Sequence, residues 1–213
     1  MTVSPALIPD FIQAVTAAID ANAEEVTLLD QAIGDGDHVT NLQRGLTTLG
    51  GLAPELSAMD WSAALQKIGM SLMSSMGGAS GALFGTLFLA MSKAMRNQAM
   101  ELATLAEALT QGVEAVKLRG KADLGDKTLL DVLIPVAATL KQAATESWPL
   151  PQVLENIPRV AAAGVEATRD LPAGKGRASF LGERARGHLD AGAKTSQLII
   201  QAITRVLEDA TTA

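Results

Sequence analysis

Residues 68–92 read IGMSLMSSMGGASGALFGTLFLAMS, a run without a charge between Lys67 and Lys93. A run of that length could cross a bilayer as one helix. It carries five glycines and five serines, however, with Gly77-Gly78 near its middle. A glycine pair ends a helix more readily than it continues one, and a lipid-facing segment cannot leave backbone groups unpaired. The stretch therefore reads as two helices, near 60–75 and 80–97, joined by a turn, and no membrane span is expected.

The same periodicity extends outward through the chain. Apolar residues recur at spacings of three and four in nearly every segment, and alternating strand patterns are almost absent. Even SQLIIQAITRVL (196–207), rich in β-branched residues, places Leu198, Ile199, Ala202, Ile203, Val206 and Leu207 on one helical stripe. Further helices are expected near 8–22, 23–32, 38–52, 101–119, 127–146, 151–169 and 191–211, the second either separate or continuing the first. Breaks are expected at Gly34 and Gly36, Gly50-Gly51 with Pro54, Gly120 with Gly125, and Pro149 with Pro151, and a kink at Pro135. Short connections favour antiparallel neighbours, so the fold class is an all-α up-and-down bundle forming a single domain over 1–213. Residues 170–190, DLPAGKGRASFLGERARGHLD, are too polar and glycine-rich for a helix. A loop that long in a compact domain is functional or disordered.

Composition narrows the chemistry. The chain has 213 residues, within reach of one hydrophobic core. Seventeen basic against 23 acidic residues give a net charge of −6, and no basic run is denser than Arg184/Arg186, which argues against nucleic acid. Cysteine is absent, so disulfides, thiolate zinc sites and cysteine nucleophiles are excluded. That suits a reducing compartment, and the N-terminal MTVSPALIPDFIQ lacks the positive flank and apolar run of a signal peptide; a cytoplasmic location is expected. An aromatic content of 3% without tyrosine offers little for base stacking, and no Ser–His–Asp triad can be argued.

Four glycine-containing segments lie at helix boundaries, where a bundle brings helix ends together. In LLDQAIGDGDHVTNLQRG (28–45), Asp30, Asp35 and Asp37 flank two glycines that let the chain turn. Three carboxylates so close repel unless a cation intervenes, and oxygen-only ligation favours Mg²⁺ or Ca²⁺. Alternatively, Asp35 and Asp37 cap the next helix. MGGASGALFGT (76–86) either presents helix-start N–H groups, with the Ser80 hydroxyl, to an anion or packs helices closely through small residues. GKADLGDKT (120–128) nearly matches the phosphate loop GxxxxGK[ST] but has the extra Asp126 before Lys127 and no preceding strand, so Asp126 and Thr128 read as a helix start. The 170–190 segment carries Lys175, Arg177, Arg184 and Arg186, which either clamp a phosphate or stay solvated. His38 and His188 are each either functional or structural. Carboxylates with anion-binding helix ends suggest a Mg²⁺–nucleotide or other polyphosphate site.

These segments, read in order as LD…IGDGDH..N..RG, GGASG.L.GT, RGKA..GDKT..D...P and KGRAS.LGER..GH.D.GA, resemble the ADP-binding L subunit of phosphoenolpyruvate-dependent dihydroxyacetone kinase. The resemblance implies an up-and-down barrel of about eight antiparallel helices with the nucleotide at one rim, so one of the nine helices above is a fragment. It implies that Asp30, Asp35 and Asp37 ligate two Mg²⁺ ions on ADP. His38, Thr40, Asn41, Ala79, Ser80, Gly120, Leu129, Arg177, Asp190 and Gly192 would then contact the nucleotide. Departures are Val39 for a common glycine, Ala82 and Ala191 for common prolines and Phe180 for a common tyrosine. The implied activity is a kinase subunit incomplete without partners. Its resident ADP would be phosphorylated by a phosphohistidine on an M subunit and pass the group to dihydroxyacetone on a K subunit. The alternatives are an ATP-exchanging domain acting with a K-type partner on another keto-sugar, and a nucleotide-dependent module that binds a transcription regulator.

Overall fold

The computed structural model describes residues 2–212, which form nine α-helices and two 3₁₀ segments and no strand. The helices are α1 (Ile8–Ala21), α2 (Ala23–Ile33), α3 (His38–Ser57), α4 (Trp61–Ser75), α5 (Gly78–Ala94), α6 (Leu102–Gly120), α7 (Leu130–Thr145), α8 (Leu150–Ala167) and α9 (Ala191–Thr212). Each of α3 to α9 packs on the next, α9 packs on α1, and α1 packs on α3. That closes a ring of eight around buried side chains such as Leu42, Leu72, Leu87, Val113, Leu133 and Leu198. Helix α2 stands outside the ring, against α3, α9 and the 170–190 segment, and is the fragment the resemblance called for. It is separate from α1 because the chain leaves helical geometry at Asn22, whose side-chain amide donates to the Ala18 carbonyl at 2.7 Å.

Local chemistry sets most boundaries where the sequence places them. Asp60 caps α4 by accepting the Ala63 N–H at 2.9 Å, and α6 opens on a Glu101–Thr104 capping box. Lys121 takes a left-handed conformation that ends α6 (φ 50°). Two expectations need correction. Helix α3 runs on through Gly50-Gly51 and Pro54 to Ser57. Both glycines and Pro54 face solvent, so each costs propensity or one hydrogen bond, while buried Leu49 and Leu56 hold the turns around them. Helix α7 begins at Leu130 rather than near 127, because the buried Asp131 carboxylate accepts the N–H groups of Gly125 (2.6 Å) and Thr128 (2.7 Å) and keeps that stretch a loop.

The α4–α5 pair resolves the run at 68–92. It turns at Gly77-Gly78, and no helix among the described residues is long and apolar enough to cross a membrane. Beyond the turn, the two backbones approach through Gly69 and Gly85. A Cβ at position 85 would lie 2.9 Å from the Gly69 carbonyl oxygen and overlap the Met73 side chain. Gly85→Ala should therefore destabilise the protein by about 1–3 kcal/mol, a fall in Tm of roughly 2–10 °C. Gly50→Ala, in open space, should raise stability by up to about 1 kcal/mol. Thermal unfolding followed by circular dichroism checks the pair, and the opposite order would contradict this packing.

Candidate functional site

Neighbouring helices of an up-and-down ring run in opposite directions, so alternate helices start on the same rim. The first residues of α3, α5, α7 and α9, namely His38, Gly78, Leu130 and Ala191, all line one cleft of about 490 Å³. Each helix start carries roughly half a positive charge and a set of N–H groups without intrahelical partners. In α3, α5 and α7 the N-cap residue makes no side-chain capping bond, although Asp30 Oδ2 takes the His38 N–H of α3 and Thr128 Oγ1 the Leu130 N–H of α7. The fourth is capped by Asp190, whose Oδ2 accepts the Ala193 N–H at 2.7 Å.

The carboxylate triad faces these helix starts. Asp30 reaches in from the last turn of α2, and Asp35 and Asp37 from the α2–α3 turn; one oxygen from each can lie within 4.8 Å of the others. Capping does not account for them. The Asp37 side chain makes no capping bond, and it is Asp30 Oδ2 that accepts the His38 N–H, at 3.2 Å. A Cβ at position 34 would overlap the Asp30 carboxylate, so the chain can pass Asp30 only as glycine. Three oxygen donors, two of them exposed, fit a hard divalent cation such as Mg²⁺. From the segment that packs on α2, Arg177 Nε donates to Asp35 Oδ2 at 2.7 Å.

His38 lies between α5 and α9. Its Nδ1 pairs with Ser80 Oγ at 3.1 Å and its Nε2 with Thr195 Oγ1 at 3.0 Å. Burial lowers its pKa, against the opposing pull of Asp30, Asp37 and Asp35, which keeps the ring neutral. With both nitrogens paired to hydroxyls, the imidazole is a positioned polar wall of the cleft. Asn41, one turn on, is buried against Gly77, where any Cβ would overlap its side-chain oxygen. This divides MGGASGALFGT into two parts: Gly77 to Ser80 shape the cleft, and Gly81 and Gly85 pack α5 on α4. The packing reading of that motif holds for Gly81 and Gly85, while Gly78, Ala79 and Ser80 line the cleft.

Of the other residues singled out, Ala79, Gly120, Leu129, Asp190 and Gly192 line the cleft. Thr40 does not. It is exposed, because two residues past His38 the helix has turned by about 200°, whereas Asn41 returns to the His38 side. Burial pushes the Asp190 pKa up, opposed by the Ala193 N–H bond and reinforced by Asp131, to about 7. Arg119 and Lys175 also line the cleft. Arg119 had only its place beside Gly120 to mark it. Lys127, the lysine of the near-miss phosphate loop, is 1% exposed and points its ammonium into backbone carbonyls, which supports rejecting a phosphate loop there.

The DAK2 domain family matches residues 32–205. The chain is 40% identical over 185 residues to the ADP-binding subunit DhaL of PEP-dependent dihydroxyacetone kinase 1 from Listeria innocua, covering 87% of this chain and 88% of that one. It is 37% identical over 202 residues to the Escherichia coli subunit of the same description, covering 94% and 96%. The crystal structure of the dihydroxyacetone kinase from C. freundii in complex with AMP-PNP and Mg²⁺ superposes with a TM-score of 0.73 at 26% identity, over 96% of this chain but 34% of that longer one. On this match and on the closed ring of eight helices, the chain belongs to the DAK2 domain family.

Proposed function

We propose that the cleft holds ADP with Mg²⁺ as a resident coenzyme and that the chain is the ADP-binding subunit of a dihydroxyacetone kinase. The observation that carries this reading is the meeting, in one cleft, of three carboxylates with the N-termini of α3, α5, α7 and α9. The opposite charges suit a diphosphate bridged by cations better than either a bare anion or a bare metal ion. The relatives named above as ADP-binding subunits, matched over nearly their full length, support it.

The chain's own residues divide the work. Asp30, Asp35 and Asp37 would hold two Mg²⁺ ions, and the starts of α3 and α5, with Ala79 and Ser80, would receive the diphosphate. Neutral His38 and buried Asn41 would fix the orientation of that wall without adding charge. Gly120 and Leu129 would face the adenosine, and Asp190 and Gly192 the ribose side, with Arg177 brought over the phosphates by its loop. When bound, the coenzyme would supply a phosphoryl relay, from a phosphohistidine on an M-type partner to dihydroxyacetone on a K-type partner. The residues of this chain would neutralise charge along that relay. Partner subunits therefore supply both donor and acceptor in this reading.

Protein purified without added nucleotide should carry ADP and Mg²⁺, measured by chromatography of the released nucleotide and by metal analysis. Asp30→Asn, Asp35→Asn and Asp37→Asn should each weaken Mg²⁺–ADP affinity by more than about 100-fold, beyond the loss typical of residues that only orient a ligand. Retention of ADP by all three variants would overturn the metal assignment.

Asp190 adds a pH dependence. Its folded-state pKa lies above its unfolded value, so the folded protein holds the proton as pH rises from about 4 to about 7, and stability falls across that window. Asp190→Asn removes the titration and keeps a capping oxygen for Ala193. The Tm of the nucleotide-free variant should exceed that of the wild type at pH 8, with the difference shrinking toward pH 4; a difference independent of pH would contradict this.

A further inference from the structure

The 170–190 segment spans the cleft mouth, and its two ends meet at one buried ammonium. Lys127 Nζ donates to the carbonyls of Thr168 (2.5 Å) and Arg169 (3.2 Å) on the entering side, and of His188 (2.5 Å) on the returning side. Its three protons thus match three acceptors, and two of those carbonyls belong to the C-terminal end of α8, where a helix concentrates negative partial charge. Three further bonds close the same base: the Gly187 N–H to the Arg169 carbonyl at 2.8 Å, the Asp190 N–H to Thr168 Oγ1 at 3.0 Å, and Arg186 Nη1 to the Asp170 carbonyl at 2.8 Å. Burial alone would expel such a charge, and it lowers the Lys127 pKa; Asp190, Asp170 and Asp131 nearby act to keep the proton. The tip of the segment is held more lightly, by Arg177 on Asp35 and by Ala178 and Ala185 against Ile33 of α2.

We infer that Lys127 is a positioning residue: it clasps the two ends of the 170–190 loop and thereby sets where Arg177 and Asp190 stand at the cleft. Without the ammonium, the carbonyls of Thr168, Arg169 and His188 face one another with no cation between them, the buried site loses its charged donor, and the base of the loop opens. The loop then reaches its closed placement in only a fraction of molecules. The consequence for nucleotide rests on the ADP reading above; the clasp itself does not.

The test compares wild type with Lys127→Met in the full chain, using amide hydrogen exchange without nucleotide and ADP binding in MgCl₂. Exchange across 170–190 should accelerate at least tenfold (about 1.4 kcal/mol), while α4, α5 and α6 keep their wild-type rates. ADP should leave at least tenfold faster with little change in its association rate. Lys127→Ala should regain slow exchange in 170–190 when ethylammonium is added, and tetramethylammonium, which has no N–H, should not replace it. Unchanged exchange in the loop, or equal acceleration over the whole barrel, would overturn the proposal. A wild-type measurement decides the matter even if neither variant folds: the Lys127 ammonium protons should be protected from solvent alongside the Gly187 amide. An ammonium freely exchanging while Gly187 stays protected would overturn the clasp. If wild type fails to retain ADP with Mg²⁺, the nucleotide reading falls while the exchange comparison still judges Lys127.

Discussion

The constraint on which the rest depends is helix direction in a closed ring. Eight helices that alternate up and down must bring four N-termini to one rim, and here the starts at His38, Gly78, Leu130 and Ala191 enclose a single cleft. That much positive partial charge at one end of a net-acidic chain asks for an anionic counterpart. The chain supplies part of it through Asp30, Asp35 and Asp37, which come from the one short helix outside the ring and the turn after it. Helix α2 is thus the element that converts a bundle end into a site.

The two sets of charges limit each other. Three carboxylates within reach of one ion repel, and the partial charges of nearby helix starts offset only some of that repulsion. Arg177 adds a full positive charge at Asp35. A diphosphate with divalent cations satisfies both sets at once, cations on the triad and phosphate oxygens on the helix starts. Burial of neutral His38 between Ser80 and Thr195 then fixes the wall between them without upsetting that balance.

Much of this was legible from residues alone. The Gly77-Gly78 turn, the helical stripe in 196–207 and the gathering of Asp30, Asp35 and Asp37 followed from spacing, because each depends on residues close in sequence. The reach of α3 through Gly50, Gly51 and Pro54 was not, since those residues face solvent and Leu49 and Leu56 decide the matter through burial. Residues 127–129 were misread as helix because the Asp131 carboxylate that holds the loop open is indistinguishable, in sequence, from any first-turn aspartate. The partners of Lys127 were illegible for the same kind of reason: its three acceptors lie 41, 42 and 61 residues away. Long-range polar contacts of this sort leave no periodic signature.

The central claim, that one rim binds a diphosphate and divalent cations together, is tested most directly by anomalous scattering from crystals grown with ADP and Mn²⁺. The account predicts Mn²⁺ density bounded by Asp30, Asp35 and Asp37, with the diphosphate of ADP directed at the starts of α3 and α5. Mn²⁺ density away from that triad, or ADP bound elsewhere on the barrel, would contradict it.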